Sequence, residues 1–197
     1  MGIVHSFLLN QETDGDISSG PYGSITITDG SVSGTVDFSL SLTGILQNAD
    51  IHSLGFVANY QGPLSVAPGT VGPAYSVDVG GKVQGLGNVT WDYIVNFGNG
   101  NPVYSSLSFS LVGDPGFDSH DIFSAQPRSV RGWESNVAVH AQSTDTPAGS
   151  ETLISVTGTD PNINSTPEPA SFVGFAALLS IMICRRFCRP NIFSNEG

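Results

Sequence analysis

Cysteine is missing from the whole chain up to Cys184, and the only other one is Cys188. The body of the protein therefore has no disulfide, no thiolate nucleophile and no cysteine metal site, and its folding rests on an apolar core alone. Positive charge is nearly as scarce. Six Lys and Arg stand against 17 Asp and Glu, a formal net charge of −11. Residues 1–166 hold three basic and fifteen acidic side chains, a net of −12. A surface this acidic repels nucleic acid and anionic lipid, which argues against a DNA-binding or membrane-surface role for the body; divalent cations and neutral glycans stay compatible. Helix-forming composition is thin as well. Only 12% of the residues are charged, while Gly numbers 24 and Pro 12, among many Ser, Thr, Val, Asn and Asp, which is the composition of strands and turns. Motifs of catalysis are missing too: there is no G-x-S-x-G, no H-E-x-x-H, no P-loop and no dinucleotide fingerprint, so the expectation is a protein that is not an enzyme.

What the chain does contain is a series of short alternating stretches separated by turn residues. Strands are predicted at 3–9, 23–29, 33–42, 51–60, 75–79, 89–97, 103–112, 136–142 and 152–157, about ten in all with the less regular ones. Asp29-Gly30 is a tight hairpin signal between the second and third. The stretch 61–73 holds too much Gly and Pro for a helix, and 113–132 reads as irregular. Trp91, Tyr93, Val95 and Phe97, with Leu107, Phe109 and Leu111, carry the largest apolar face. Their two strands are expected to pair across 98–102 as the core hairpin. Regular spacing without a helical pattern predicts an all-β body over 1–159, an antiparallel β-sandwich of jelly-roll type. A polar linker follows at 160–166.

The tail has three parts: the rigid break Pro167-Glu168-Pro169, an uncharged apolar run over 170–184, and a basic end at Arg185, Arg186 and Arg189. The prolines end any preceding strand and pre-set the first turn of a helix. As a helix the run is about 22 Å long at 1.5 Å per residue, against a hydrocarbon core of roughly 30 Å. Snorkelling arginines and local thinning of the bilayer offset part of the deficit. A buried helix of a soluble domain is the competing reading for so short a run. Against it stand apolarity on every side, the arginine cluster, and the eight residues 190–197 that follow. One C-terminal transmembrane helix is therefore expected, with 190–197 as a short cytoplasmic tail and the body outside the inner membrane.

In this order the parts resemble the PEP-CTERM sorting signal of exported proteins in Gram-negative bacteria that make extracellular polysaccharide. The resemblance covers about 25 residues, 167–189 and their immediate flanks, and it is carried by Pro167, Glu168 and Pro169 as the motif and by Arg185, Arg186 and Arg189 as its basic stop. It implies an exosortase as partner, recognising the Pro-Glu-Pro element. It also implies a protein anchored in the inner membrane before processing, then at the cell surface or in the extracellular, biofilm-associated polysaccharide. The N-terminus fits this poorly. Residues 1–10 hold no Lys or Arg, and the first basic residue is Lys82, so no signal peptide is visible. The expectation is a true start upstream of the given one, or a truncated gene.

Asp14 and Asp16, flanking Gly15, are calcium candidates, with Asn10 and Glu12 nearby; solvated carboxylates in an Asx-turn are the competing reading. Asp114, Asp118 and Asp121 invite the same comparison. His5, His52, His120 and His140 lack partners at ligand spacing and read as structural. No cofactor is expected. Trp91 lies in the strongest core strand, which leaves Trp133, in Arg131-Gly-Trp-Glu134, as the exposed platform on which a sugar ring could stack. Two readings result: a structural or adhesive matrix protein, or a glycan-binding module or glycan-active enzyme sorted by the same route.

Overall fold

The computed structural model describes residues 4–13, 15, 17, 20–68, 76–98, 103–142, 146 and 149–156. In chain order the strands are β1 (Val4–Leu9), β2 (Gln11–Glu12), β3 (Gly23–Asp29), β4 (Thr35–Leu42), β5 (Asp50–Phe56), β6 (Ser65–Val66), β7 (Ser76–Gly81), β8 (Trp91–Asn96), β9 (Ser106–Val112), β10 (Arg128–Val130), β11 (Trp133–Gln142) and β12 (Ser150–Val156). A 3₁₀ turn, Gly44–Leu46, lies between β4 and β5, and α1 (Ser119–Phe123), the one α-helix among the described residues, between β9 and β10. The strands form two antiparallel sheets packed as a sandwich. One runs β1-β3-β4-β9-β6; the other runs β2-β12-β11-β5-β8-β7, with β10 added to β11.

The first sheet follows its sequence pattern closely. In β3 and β4, Ile25, Ile27, Val36, Phe38, Leu40 and Leu42 are buried, while the Ser, Thr and Asp residues between them face outward. Period two with one wet face is what the pleat requires of a half-buried strand. The hairpin between β3 and β4 turns at Gly34, where φ is +79° and a Cβ would come within 2.5 Å of the Asp114 carbonyl. Only glycine fits there without strain.

In the second sheet β5, β8, β11 and β12 are buried on both faces through most of their length. Its inner side joins the main core, in which Phe38 stacks on Phe109 at 4.8 Å and Phe56 on Tyr93 at 5.3 Å. Its outer side carries a separate cluster of Val57, Val83, Leu86, Trp91, Ile94, Ala125, Val130, Ala138 and Ile154. Residues 82–90 and 125–130 thus lie as a lid of loops over the outer face. Gly55 allows that approach: a Cβ there would meet Val83 at 2.5 Å and the Trp91 ring at 2.9 Å.

Several expectations need correction. β8 and β9 are not a hairpin: β8 lies between β5 and β7, β9 between β4 and β6, in different sheets. They meet across the core instead, with the Phe97 and Phe109 rings edge-on at 5.2 Å. Alternation reports that a strand has a buried face, not which strand pairs along its edge. Trp91 belongs to the outer cluster rather than the main core. The strand predicted at 51–60 ends at Phe56. The irregular stretch 113–132 contains α1 and β10, and β2, β6 and β10 bring the described strands to twelve. α1 starts in a capping box: the Asp118 carboxylate accepts from the His120 and Asp121 N–H groups at 2.9 and 3.1 Å, and Asp121 accepts the Asp118 N–H at 3.1 Å.

No helix among the described residues is long and apolar enough to cross a membrane. The predicted linker, sorting motif, apolar run and basic end, with Pro167, Glu168, Pro169, Arg185, Arg186 and Arg189, lie outside the described residues, as do Asp14 and Asp16.

Candidate functional site

The most chemically furnished surface lies where the loop lid meets the β10–β11 hairpin. Register pairs Arg128 with Ser135, Ser129 with Glu134 and Val130 with Trp133. Between the strands stand Arg131 and Gly132, at φ +49° and +90°. Two left-handed residues in a two-residue loop match the right-handed twist of the strands. Arg131 is the one non-glycine residue with positive φ among those described, and its side chain is tied down. One guanidinium nitrogen donates to the Thr13 carbonyl, the other to the Gly85 carbonyl at 3.0 Å. Val130, fully buried in the outer cluster, pins the hairpin from below.

Beside this hairpin is an open groove of about 530 Å³ lined by Asn88, Val89, Thr90, Arg128 and Ser129. That volume falls in the range of roughly 300–1,000 Å³ typical of small-ligand sites. Arg128 Nη2 donates to Asp92 Oδ1 at 2.5 Å, and the second Asp92 oxygen accepts the Ala58 N–H at 3.1 Å. Lys82 Nζ donates to Asn88 Oδ1 at 3.1 Å. Behind the groove the loop is held to the sheet by a polar thread. Thr152 Oγ1 donates to the Gln84 carbonyl at 2.8 Å and lies 3.3 Å from His140 Nδ1. Because a hydroxyl has one proton, already given to Gln84, His140 Nδ1 is the donor in the second bond. The arrangement presents an amide, a guanidinium fork and two hydroxyls around an apolar Val89 strip. That chemistry suits hydrogen bonding to a hydroxyl-rich or carboxylate-bearing ligand.

Trp133 opens β11 and is 44% exposed. By strand alternation it shares a hairpin face with Arg128 and Val130. Trp91, by contrast, is fully buried. The histidines make local contacts in separate places: His5 stacks on the Phe123 ring at 4.3 Å with His120 6.2 Å away, and His140 is buried beside Thr152, edge-on to His52 at 5.8 Å. His52 Nε2 lies 3.2 Å from Asp50 Oδ2, an ion-pair distance without hydrogen-bond alignment. No group of three or more His, Cys, Asp or Glu side chains among the described residues could hold a metal ion. Asp118 and Asp121 serve the helix cap instead.

Sequence reasoning missed two features. Lys82, Asp92 and Arg128 carry no local motif, and the one signal for the two cations is the rarity of positive charge. The second is a pair of carboxylates inside the sandwich, Glu12 and Glu151, 3% and 0% exposed, with Glu12 accepting the Gly15 N–H at 2.5 Å. Burial, then the fields of Glu12 and Glu151, push the Tyr22 hydroxyl above its usual pKa. No family model matches the chain, and neither a curated protein nor a solved structure does.

Proposed function

We propose that the protein is a non-enzymatic, exported surface or extracellular-matrix protein, directed by a C-terminal PEP-CTERM signal to an exosortase and associated with extracellular polysaccharide. The observation that carries this reading is the order of parts in the tail: Pro167-Glu168-Pro169, the apolar run 170–184, then Arg185, Arg186 and Arg189. The run would span the membrane as a helix with its basic end in the cytoplasm. The body in front of it would be a sandwich of jelly-roll type, a reading supported by strands that repeatedly change sheet along the chain. A second reading, a glycan-binding module or glycan-active enzyme on the same sorting route, is favoured by the exposed Trp133 on the hairpin that borders the groove.

The test is the intact mass of the native protein recovered separately from cell envelope and culture fluid, for the wild type and for the triple variant Pro167→Ala, Glu168→Ala, Pro169→Ala. The expected result is a released species ending near Pro167 that the triple variant fails to produce. An envelope form whose mass is unchanged by the variant would leave only an uncut anchor. Full-length protein soluble in the cytoplasm would overturn export.

A further inference from the structure

The three cations of residues 1–166 are Lys82, Arg128 and Arg131, against fifteen acids. Two of them sit at the groove and the third in the turn beside it. Arg128 lines it, Lys82 is bonded to its lining residue Asn88, and Arg131 clamps the adjoining turn to Gly85 of the loop lid. In a body of net −12, this is where its few cations stand nearest to one another in the fold, and a cation beside a groove favours an anionic ligand there. We propose that this groove is a binding site for a carboxylate-bearing sugar, a uronic-acid residue of an acidic polysaccharide. The choice of a glycan as carrier of the carboxylate rests on the matrix reading above; the anion preference rests on the cations alone.

Each group has a part in such a site. Arg128 is held in place by Asp92, which is itself fixed by the Ala58 N–H, and the remaining donors of its planar fork suit a carboxylate. The described bond of the Lys82 ammonium is to a neutral amide oxygen. Asn88, Thr90 and Ser129 offer the amide and hydroxyl groups that sugar hydroxyls pair with. Trp133, on the same hairpin face as Arg128, offers a stacking surface for a neighbouring ring. The local charge also says what does not fit. Asp92 offsets Arg128, so the positive charge beside the groove is small, which suits sparse carboxylates. Duplex DNA, with a charge per roughly 1.7 Å of axis, would meet the acidic surface on either side.

The experiment is titration calorimetry on the purified full chain in a detergent without a sugar headgroup. The ligands are a tetrasaccharide of galacturonic acid, the matching neutral galactose tetrasaccharide, and a 12-base-pair DNA. The uronate is expected to bind at least tenfold tighter than the neutral sugar, with affinity that falls as salt rises. Arg128→Gln should weaken it tenfold or more. Lys82→Gln, at an exposed site whose one described bond is to Asn88, should weaken it severalfold and keep the assay informative if the Arg128 variant loses its fold. Trp133→Ala should weaken uronate and neutral sugar alike. Equal binding of the two sugars would overturn the anion assignment. DNA binding as tight as uronate would overturn the glycan assignment, and so would heats indistinguishable from buffer for both sugars. None of these outcomes bears on processing at Pro167, so failure here and failure of the sorting reading are read separately.

Discussion

The placement of Phe97 and Phe109 on facing sheets leads to a coupling that a hairpin between the same strands would not produce. The rings are edge-on at 5.2 Å and 63°, and Phe109 is also stacked on Phe38 at 4.8 Å. Phe97→Leu and Phe109→Leu keep the core apolar and close to its volume, so each should cost about 1.5 kcal/mol or less from packing, plus the aromatic contacts it removes. The Phe38 stack is lost in both halves of the cycle and cancels. What remains between the two sites is the edge-on pair, about 0.5–1.5 kcal/mol of interaction energy in the double-mutant cycle. Urea unfolding of the four proteins, analysed by linear extrapolation, reads that difference, with unchanged slopes as the control that the end states are the same. A second cycle sharpens the test. A hairpin centred on residue 100 would set Trp91 opposite Phe109, whereas Trp91 lies in the outer cluster and Phe109 in the main core. The cycle of Trp91→Phe with Phe109→Leu should therefore be additive within about 0.5 kcal/mol. Additivity in the first cycle and coupling in the second would refute the sandwich arrangement of these strands.

Two further outcomes depend on pH. The Ser119 N–H, donated to Asp29 at 2.9 Å, is the main cause that holds the Asp29 carboxyl below its ordinary range; a depressed carboxyl stabilises above the unfolded value near ~3.9 and loses that effect as pH falls through the folded one. Asp29→Asn should thus be less stable than wild type at pH 7, and urea midpoints should converge below about pH 4; a gap that persists at low pH would contradict the assignment. The single Tyr93 hydroxyl proton is shared between the carbonyls of Gly62 at 2.8 Å and Tyr60 at 3.1 Å, and burial, then the fields of Tyr60, Asp92 and Asp121, raise the hydroxyl pKa. Tyr93→Phe should cost about 1–2 kcal/mol at neutral pH. Because the folded value is raised, the wild-type advantage is full below the unfolded pKa near ~10 and shrinks as pH rises through the folded one, which midpoints measured up to pH 11 would show.

The elements most legible in the sequence are those with one wet face. β3 and β4 alternate cleanly because Ser, Thr and Asp report the solvent side at every second position. β11 shows a strand pattern only from 136, although it begins at Trp133, because both its faces are buried through most of its length and alternation fades. β2, β6 and β10 have two or three residues, too few to show any period. α1 is less than two turns long, and its one sequence signal, Asp118 followed three residues later by Asp121, is the same pair that suggested a calcium loop. Local spacing does not distinguish carboxylates that cap a helix from carboxylates that wait for a cation. Trp133 could be separated from Trp91 because only Trp91 lay in a strongly apolar strand. The groove was out of reach for a different reason: Arg128, which lines it, and Asp92, which holds Arg128, are 36 residues apart, and only the tertiary fold joins them.

That joining has a structural cost which explains where the polar residues went. To cover the outer face of the second sheet, the chain must lay residues 82–90 and 125–130 over Gly55, Ala138 and Ile154, and loop backbone brought against an apolar surface needs partners for its carbonyls. Thr152 supplies one for Gln84, Arg131 one for Gly85 and another for Thr13, and Asn136 donates to Ile122 and to Ala125 at 3.3 and 2.7 Å. Among these, Arg131 is one of only three cations in a body that is otherwise acidic, and Arg128 is held by Asp92 in the same layer. An exposed ion pair such as Arg128 with Asp92 contributes about 0–1 kcal/mol, too little to account for such a concentration of rare charge by stability alone. What the pair does is orient. A guanidinium fixed by a carboxylate that is itself fixed by a backbone N–H is pre-set before a ligand arrives, and the ordering cost of binding is correspondingly lower. The lid of loops therefore does two things with one set of residues: it closes the outer core, and it holds the charged rim of the groove in place.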